Sequence, residues 1–207
     1  MTLSTENLLT SILESLERIE HIKSDDIPTI DLYMDQVTTF MDKKMKKTSR
    51  NPEEDKILTK TMINNYAKNN LLPPPIKKKY SREHIMMLIF IYYFKNILSI
   101  NDIQKLLDPL KDHFFEGDGE WDLEKVYDTV FELEANQVEV LKKDVIERFK
   151  AANDAIKEVP KEQEEFLQNF FFICLLSYDV YIKKLMIEKI IDSMPDKLPK
   201  NGKPKKE

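Results

Sequence analysis

Thr61, Asn64, Asn65 and Lys68 follow one another at spacings of three, one and three, which puts all four on one face of a helix. Their chemistry is that of short polar groups able to reach the edges of bases in a major groove. An asparagine amide suits bidentate pairing with adenine, and lysines neutralise backbone phosphates. Lys60 stands at the start of the same helix, and Lys77, Lys78, Lys79 and Arg82 follow it within a short extended stretch. Tyr66 and Tyr80 could donate to phosphate oxygens. Aromatic residues at helical spacing also fill cores, so Tyr66 admits both readings, and Lys77–Lys79 would equally serve as solubilising charges on a wing that touches nothing.

The charge distribution favours the polyanion reading. The chain of 207 residues carries a net charge of −5, yet the segment from Lys43 to Arg82 holds twelve basic residues against Glu53, Glu54 and Asp55, a local balance of +9. The remainder therefore stands at −14. One basic face on an acidic body is the footprint of a protein that meets a polyanion, or else of a merely solvated surface.

Composition removes several other chemistries. There are only three glycines, Gly117, Gly119 and Gly202, too few and too scattered for a phosphate-cradling loop, in which backbone N–H groups must approach the anion closely. The single Cys174 excludes an internal disulfide and a multi-cysteine zinc site, and it reads as a core filler suited to a reducing cytoplasm. His21, His84 and His113 lack the i,i+4 partners of a metalloprotease helix, and His84 is expected to be structural or solvent-facing. Asp118 and Glu120 could hold a cation, though such pairs are common by chance. No serine sits in a nucleophile elbow. No enzyme, cofactor or metal is expected. The acidic, amphipathic N-terminus lacks the character of a signal peptide, and the apolar runs 85–94 and 170–176 are too short to span a bilayer, so a soluble cytoplasmic chain is expected.

These side chains must be positioned by helices. Leu8, Leu9, Ile12, Leu13, Leu16 and Ile19 form one stripe of a first amphipathic helix. After Pro28, Asp31 is expected to cap a helix carrying Leu32, Val37, Phe40, Met41 and Met45. A polar loop over 46–56 leads to a helix from about Thr59 to Asn70. Pro73-Pro74-Pro75 enforces extended chain before a short strand or wing at 76–80. Ser81 caps an apolar helix, and Ser99 with Asp102 forms a capping box for a short one. Spacing over Val126, Val130, Leu133, Val140, Val145, Phe149, Ala152, Ile156 and Val159 predicts a single helix from about 122 to 159, roughly 55 Å long at 1.5 Å per residue. Pro160 restarts the chain into a last helix with Phe166, Phe170, Ile173, Cys174, Tyr181, Leu185 and Ile190 turned inward.

The stretch MINNYAKNNLL, then KKKYSREHI, then SINDIQKLL resembles the MerR winged-helix DNA-binding domain. Tyr66 falls on the second tyrosine of that family, Leu71-Leu72 on its double leucine and Tyr80 on its wing tyrosine, while LYMDQVTTFM would be the first helix of the helix-turn-helix. Asn64 replaces the family's phosphate-binding arginine, Asn65 its first tyrosine and Asn70 its turn glycine, a position where asparagine tolerates left-handed geometry. Over most of residues 28–192, the blocks LYMDQV, LTKTMINNY and KKKYSREHI are also similar to the bacterial proteins grouped as domain of unknown function 1836, a resemblance that brings no established activity.

Together these imply an all-α chain: an amphipathic helix (1–27), a MerR-like winged helix-turn-helix with a small β wing (28–112), a linker marked by Gly117 and Gly119 (113–120), a helical dimerisation or effector domain with one long helix (121–194) and a disordered basic tail (195–207). The implied function is sequence-specific binding of double-stranded DNA by a homodimeric transcriptional regulator, through Lys60, Thr61, Asn64, Asn65, Tyr66, Lys68, Lys77, Lys78, Lys79, Tyr80 and Arg82. The alternative is a non-catalytic protein-interaction module that keeps the winged helix without DNA binding; the acidic total and Asn64 favour it. A third reading, a sensor for a small-molecule effector, would use a pocket among Phe170, Phe171, Phe172 and Tyr178, although such aromatic clusters are commonly core.

Overall fold

In the computed structural model, residues 5–17, 21–46, 49–51, 53–115, 117, 119–135, 137–157 and 159–195 are described. Ile19, Lys47, Asp118 and the expected basic tail beyond Pro195 lie outside them. The described elements run α1 (Thr5–Glu17), a 3-10 turn (Ser24–Asp26), β1 (Leu32–Tyr33), α2 (Met34–Met45), α3 (Lys60–Lys68), β2 (Lys79–Tyr80), α4 (Arg82–Phe94), α5 (Ile100–His113), α6 (Leu123–Ala135), α7 (Val138–Asp154) and α8 (Lys161–Ser193). The chain is mostly helical, with one two-stranded antiparallel sheet that pairs Leu32 with Tyr80 and Tyr33 with Lys79. No helix among the described residues is long and apolar enough to cross a membrane, and no group of three or more His, Cys, Asp or Glu among them could hold a metal ion.

The chain divides into two compact units, one of residues up to His21 with Phe131–Met186, the other of Ile22–Val130 with residues from Ile187. The boundary falls at 130/131, so Gly117 and Gly119 sit within the second unit.

That second unit is organised around α4. Every residue from His84 to Ile91 is buried, as expected of a helix apolar on all sides. Ser81 starts it: its backbone N–H donates to His84 Nδ1 at 3.0 Å, so the ring of the third helical residue does the work a glutamate does in an ordinary capping box. β2 packs on α4, and α2 packs on α3 and on both strands. Phe90 meets Tyr127 of α6 edge to face at 5.5 Å, and the Tyr127 hydroxyl donates to the Ile22 carbonyl at 2.6 Å. The Ser99 cap and its box with Asp102 form as the sequence indicates, though α5 runs on to His113.

The first unit packs α1 against α7. Phe149, Ala152 and Phe172 form its buried centre, with Leu9, Ile12, Val145, Phe171, Leu175 and Leu176 packed round them.

Three expectations about elements are corrected. Asp31 does not cap α2: Leu32 and Tyr33 are strand, and the Tyr33 N–H donates to Gln36 Oε1 at 2.8 Å to close the helix start. The single helix over 122–159 is two helices, α6 and α7. The inward stripe of α6 is Leu123, Tyr127 and Phe131 rather than Val126, Val130 and Leu133, and Leu133 and Val140 are exposed. With Leu133 and Val140 facing outward, the apolar spacing over 126–140 does not make one buried seam among the described residues.

The face assigned to the last helix is reversed. Phe166, Phe170, Ile173, Cys174, Tyr181, Leu185 and Ile190 are exposed, whereas Gln168, Phe172 and Ile191 are buried. Cys174 is thus no core filler. The effector pocket expected among Phe170, Phe171, Phe172 and Tyr178 does not form either, because Phe172 is buried against Phe149 while Phe170 and Tyr178 face outward.

Candidate functional site

Helix α3 is short, and both its ends are specified locally. Thr59 Oγ1 accepts from the Met62 N–H at 3.2 Å and caps the start. At the far end the Asn70 N–H bonds to the Ala67 carbonyl at 3.3 Å and the Leu71 N–H to the Tyr66 carbonyl at 2.9 Å. That bond pair is a Schellman motif, which requires a left-handed residue at its corner. Asn70 provides it, with φ of 57°. Lys111 of α5 donates to the Asn70 carbonyl at 3.1 Å and secures the corner.

Ile63 and Tyr66 are buried on one side of α3. Thr61, Asn64, Asn65 and Lys68 are exposed on the other, as the i, i+3, i+4, i+7 spacing requires. The two asparagine amides have no hydrogen-bond partner among the described residues, which leaves them able to pair with an incoming ligand. Lys60 is exposed and ion-paired with Asp35, tying the first turn of α3 to α2.

The prolines lead into a tight hairpin. Ile76 and Lys79 exchange two backbone bonds, 3.0 Å and 2.9 Å, across a loop of Lys77 and Lys78, whose φ values are 50° and 64°. Two successive positive φ values are the signature of a type I′ turn, a place normally held by Asn-Gly. Each non-glycine residue there costs about 1–2 kcal/mol. The two lysines occupy the hairpin tip despite that cost.

Strand alternation sorts the next residues. Tyr80 is buried while Lys79 is half-exposed, with its ammonium 5.2 Å from the centre of the Tyr33 ring. Burial pushes the Tyr66 and Tyr80 hydroxyl pKa values up. Both tyrosines are core residues, which takes them out of the expected contact set. Arg82 leaves it as well, since its guanidinium bonds Glu124 at 2.5 Å and is mostly covered.

The positive segment is thus partly neutralised by acids from outside it: Asp26 pairs with Lys44 at 3.2 Å, Asp35 with Lys60 and Glu124 with Arg82. Lys68, Lys77 and Lys78 are exposed and have no acidic partner among the described residues. Two exposed apolar residues beside the hairpin were not singled out from sequence, Tyr33 and Ile76, at 55% and 65% exposure. The outward place of Tyr33 opposite Lys79 could have been found from the strand register, but strands of two residues leave no periodicity to read.

No curated protein and no solved structure matches this chain. The family described as Domain of unknown function (DUF1836) matches over residues 22–130, which takes in α2, α3, the hairpin and the apolar α4, and the chain belongs to that family.

Proposed function

We propose that the chain binds double-stranded DNA, with α3 presented to the major groove and the Lys77-Lys78 hairpin tip set on the phosphate backbone. The observation that carries this reading is the outward face of α3: Asn64 and Asn65 have unpaired amides flanked by Thr61 and Lys68. Asparagine amides read adenine edges, and lysines on the flanks fix register on the phosphates. The succession of β1, α2, α3, hairpin, α4 and α5 supports a MerR-like winged helix, and hence a transcriptional regulator whose two copies address two half-sites. A helix of this kind needs rigid ends, and the Thr59 cap and Asn70 corner supply them. The contact set is Lys60, Thr61, Asn64, Asn65, Lys68, Lys77, Lys78 and Lys79.

The test is selection of bound duplexes from a random pool. One sequence class should be enriched. Asn64→Ala with Asn65→Ala should weaken binding to it by ten- to a hundredfold, the scale of a bidentate base contact at about 1–3 kcal/mol, with little change on unselected DNA. No enrichment, or equal loss on both DNAs, contradicts base reading by α3.

A second reading, a protein-interaction module on the same scaffold, is favoured by the exposed Tyr33 and Ile76 beside the hairpin. Paired with lysines, they suit an acidic peptide with apolar anchors. In that case Tyr33→Ala and Ile76→Ala would abolish partner capture while the chain showed no affinity for duplex DNA.

A further inference from the structure

A cavity of about 550 Å³ opens in the second unit where the proline run, the start of α4 and the end of α5 come together. Pro73, Pro74 and Phe115 give it apolar walls, and His84, Lys111 and Asp112 supply polar groups. A water takes up about 30 Å³. The space therefore suits an organic molecule, whose sites run from about 300 to 1,000 Å³.

One polar group in the wall is left without a partner. His84 is 2% exposed, and its ring is held edge-on by Tyr80 and Phe115, with centroids at 5.5 Å and 4.8 Å. The Ser81 N–H donates to Nδ1, which puts the proton of the neutral ring on Nε2. That N–H is covered and bonds nothing among the described residues. The Pro73 and Pro74 carbonyls lie near the ring without completing a hydrogen bond. The wall thus offers a donor beside acceptors.

Charge narrows the choice of ligand. Lys111 lines the cavity, but its ammonium already bonds Asp108 at 2.7 Å and the Asn70 carbonyl at 3.1 Å. Asp112 is exposed and has no basic partner among the described residues. Asp31 and Glu83 act on the His84 ring from nearby. The cavity also lies against the last turn of α5, the negative end of that helix. An anion is disfavoured there. A cation built only of N–H donors would set them against the Nε2 proton.

We propose that this cavity binds a small, flat, uncharged aromatic carboxamide, or a heterocycle with the same carbonyl and N–H edge. The carbonyl accepts from His84 Nε2, the neighbouring N–H meets the Pro73 and Pro74 carbonyls, and the ring lies against Phe115. The site belongs to the second unit alone and does not depend on the duplex-binding reading. Its walls reach both ends of the segment from the Asn70 corner to the hairpin, through Lys111 and Ile76, so an occupied cavity braces that segment.

The experiment titrates the isotope-labelled full chain, followed by nuclear magnetic resonance, with three planar probes of one shape: benzamide, benzoate and benzamidinium. Benzamide should give saturable shifts at His84 Nε2 and at the amides of Ile76, His113 and Gly117, at millimolar concentration or below. Benzoate, repelled by Asp112, and benzamidinium, which offers no acceptor, should bind at least about tenfold more weakly. Asp112→Asn should raise the affinity for benzoate and leave that for benzamide little changed. His84→Ala should abolish the benzamide shifts; if circular dichroism finds that variant unfolded, the three-probe comparison on the wild type decides by itself. No saturable shift with benzamide overturns the proposal, as does equal binding of the three probes or a preference for a charged one. Shifts confined to residues away from the cavity overturn it too. Selective benzamide binding by a chain that ignores duplex DNA supports the inference and counts only against the DNA reading.

Discussion

The Lys111 ammonium donates to the backbone carbonyl of Asn70 at 3.1 Å, so α5 holds the left-handed corner where α3 ends. The contact joins α5 to the helix proposed to read DNA, and it fixes where the outward face of α3 stops. Asn70→Ala puts a side chain with no tolerance for positive φ at that corner and should destabilise the chain by about 1–2 kcal/mol. Asn70→Gly should be neutral or stabilising. Urea unfolding of the two variants checks both signs.

The Lys77-Lys78 tip should show a trade between stability and binding. Replacing the pair by Asn-Gly relieves two unfavourable φ values and should stabilise by about 1–3 kcal/mol, raising the melting temperature by roughly 2–4 °C per kcal/mol. The same variant should bind duplex DNA more weakly. Calorimetry with a parallel titration decides it, and a variant that gains stability with no loss of binding removes the lysines from the interface.

His84 should make stability depend on pH. Burial, opposed by weaker contributions from the Pro74 and Pro73 carbonyls and nearby carboxylates, holds its pKa below the ordinary value of 6.5. The Ser81 N–H donates to Nδ1, which requires the neutral ring. A folded pKa below the unfolded one means that the unfolded chain takes up the proton first. The contribution is therefore complete above about pH 6.5 and is lost as pH falls through the folded value. His84→Gln should flatten the slope of unfolding free energy between about pH 5 and 7 relative to wild type. Equal slopes would contradict this.

Tyr127 should be sensitive to loss of a single oxygen. Its hydroxyl donates to the buried Ile22 carbonyl at 2.6 Å, so Tyr127→Phe leaves that acceptor unpaired and should cost about 1–3 kcal/mol. Hydrogen exchange at residues 22–27 should quicken in the variant.

Signals local to the chain were legible in the sequence. Ser81 and Ser99 stand at helix starts where a short hydroxyl precedes an apolar period, the helix expected from about Thr59 begins there, and Asn70 takes the left-handed corner that a glycine would otherwise hold. The exposed Asn64 and Lys68 followed from the same spacing.

What failed depended on which of two apolar stripes turns inward. In α8, Phe170, Phe171, Phe172 and Ile173 together cover most of the helix circumference, so period alone does not choose which side is core, and only Phe172 is buried. In α6 the stripes Val126/Val130 and Leu123/Tyr127 lie side by side, and only packing against Phe90 selects the second. Tyr66 and Tyr80 were ambiguous for the same reason, since burial belongs to the tertiary partners that α2 and α4 provide.

The proposed duplex-binding face of α3 and the lysine hairpin can be checked by fluorescence anisotropy of the full chain with labelled duplex fragments across a salt series. Log affinity should fall linearly with log salt, and Lys77→Ala with Lys78→Ala and Lys79→Ala should reduce that slope by roughly three, at about 0.9 per phosphate contact. Affinity that neither falls with salt nor changes in the triple variant would contradict the account.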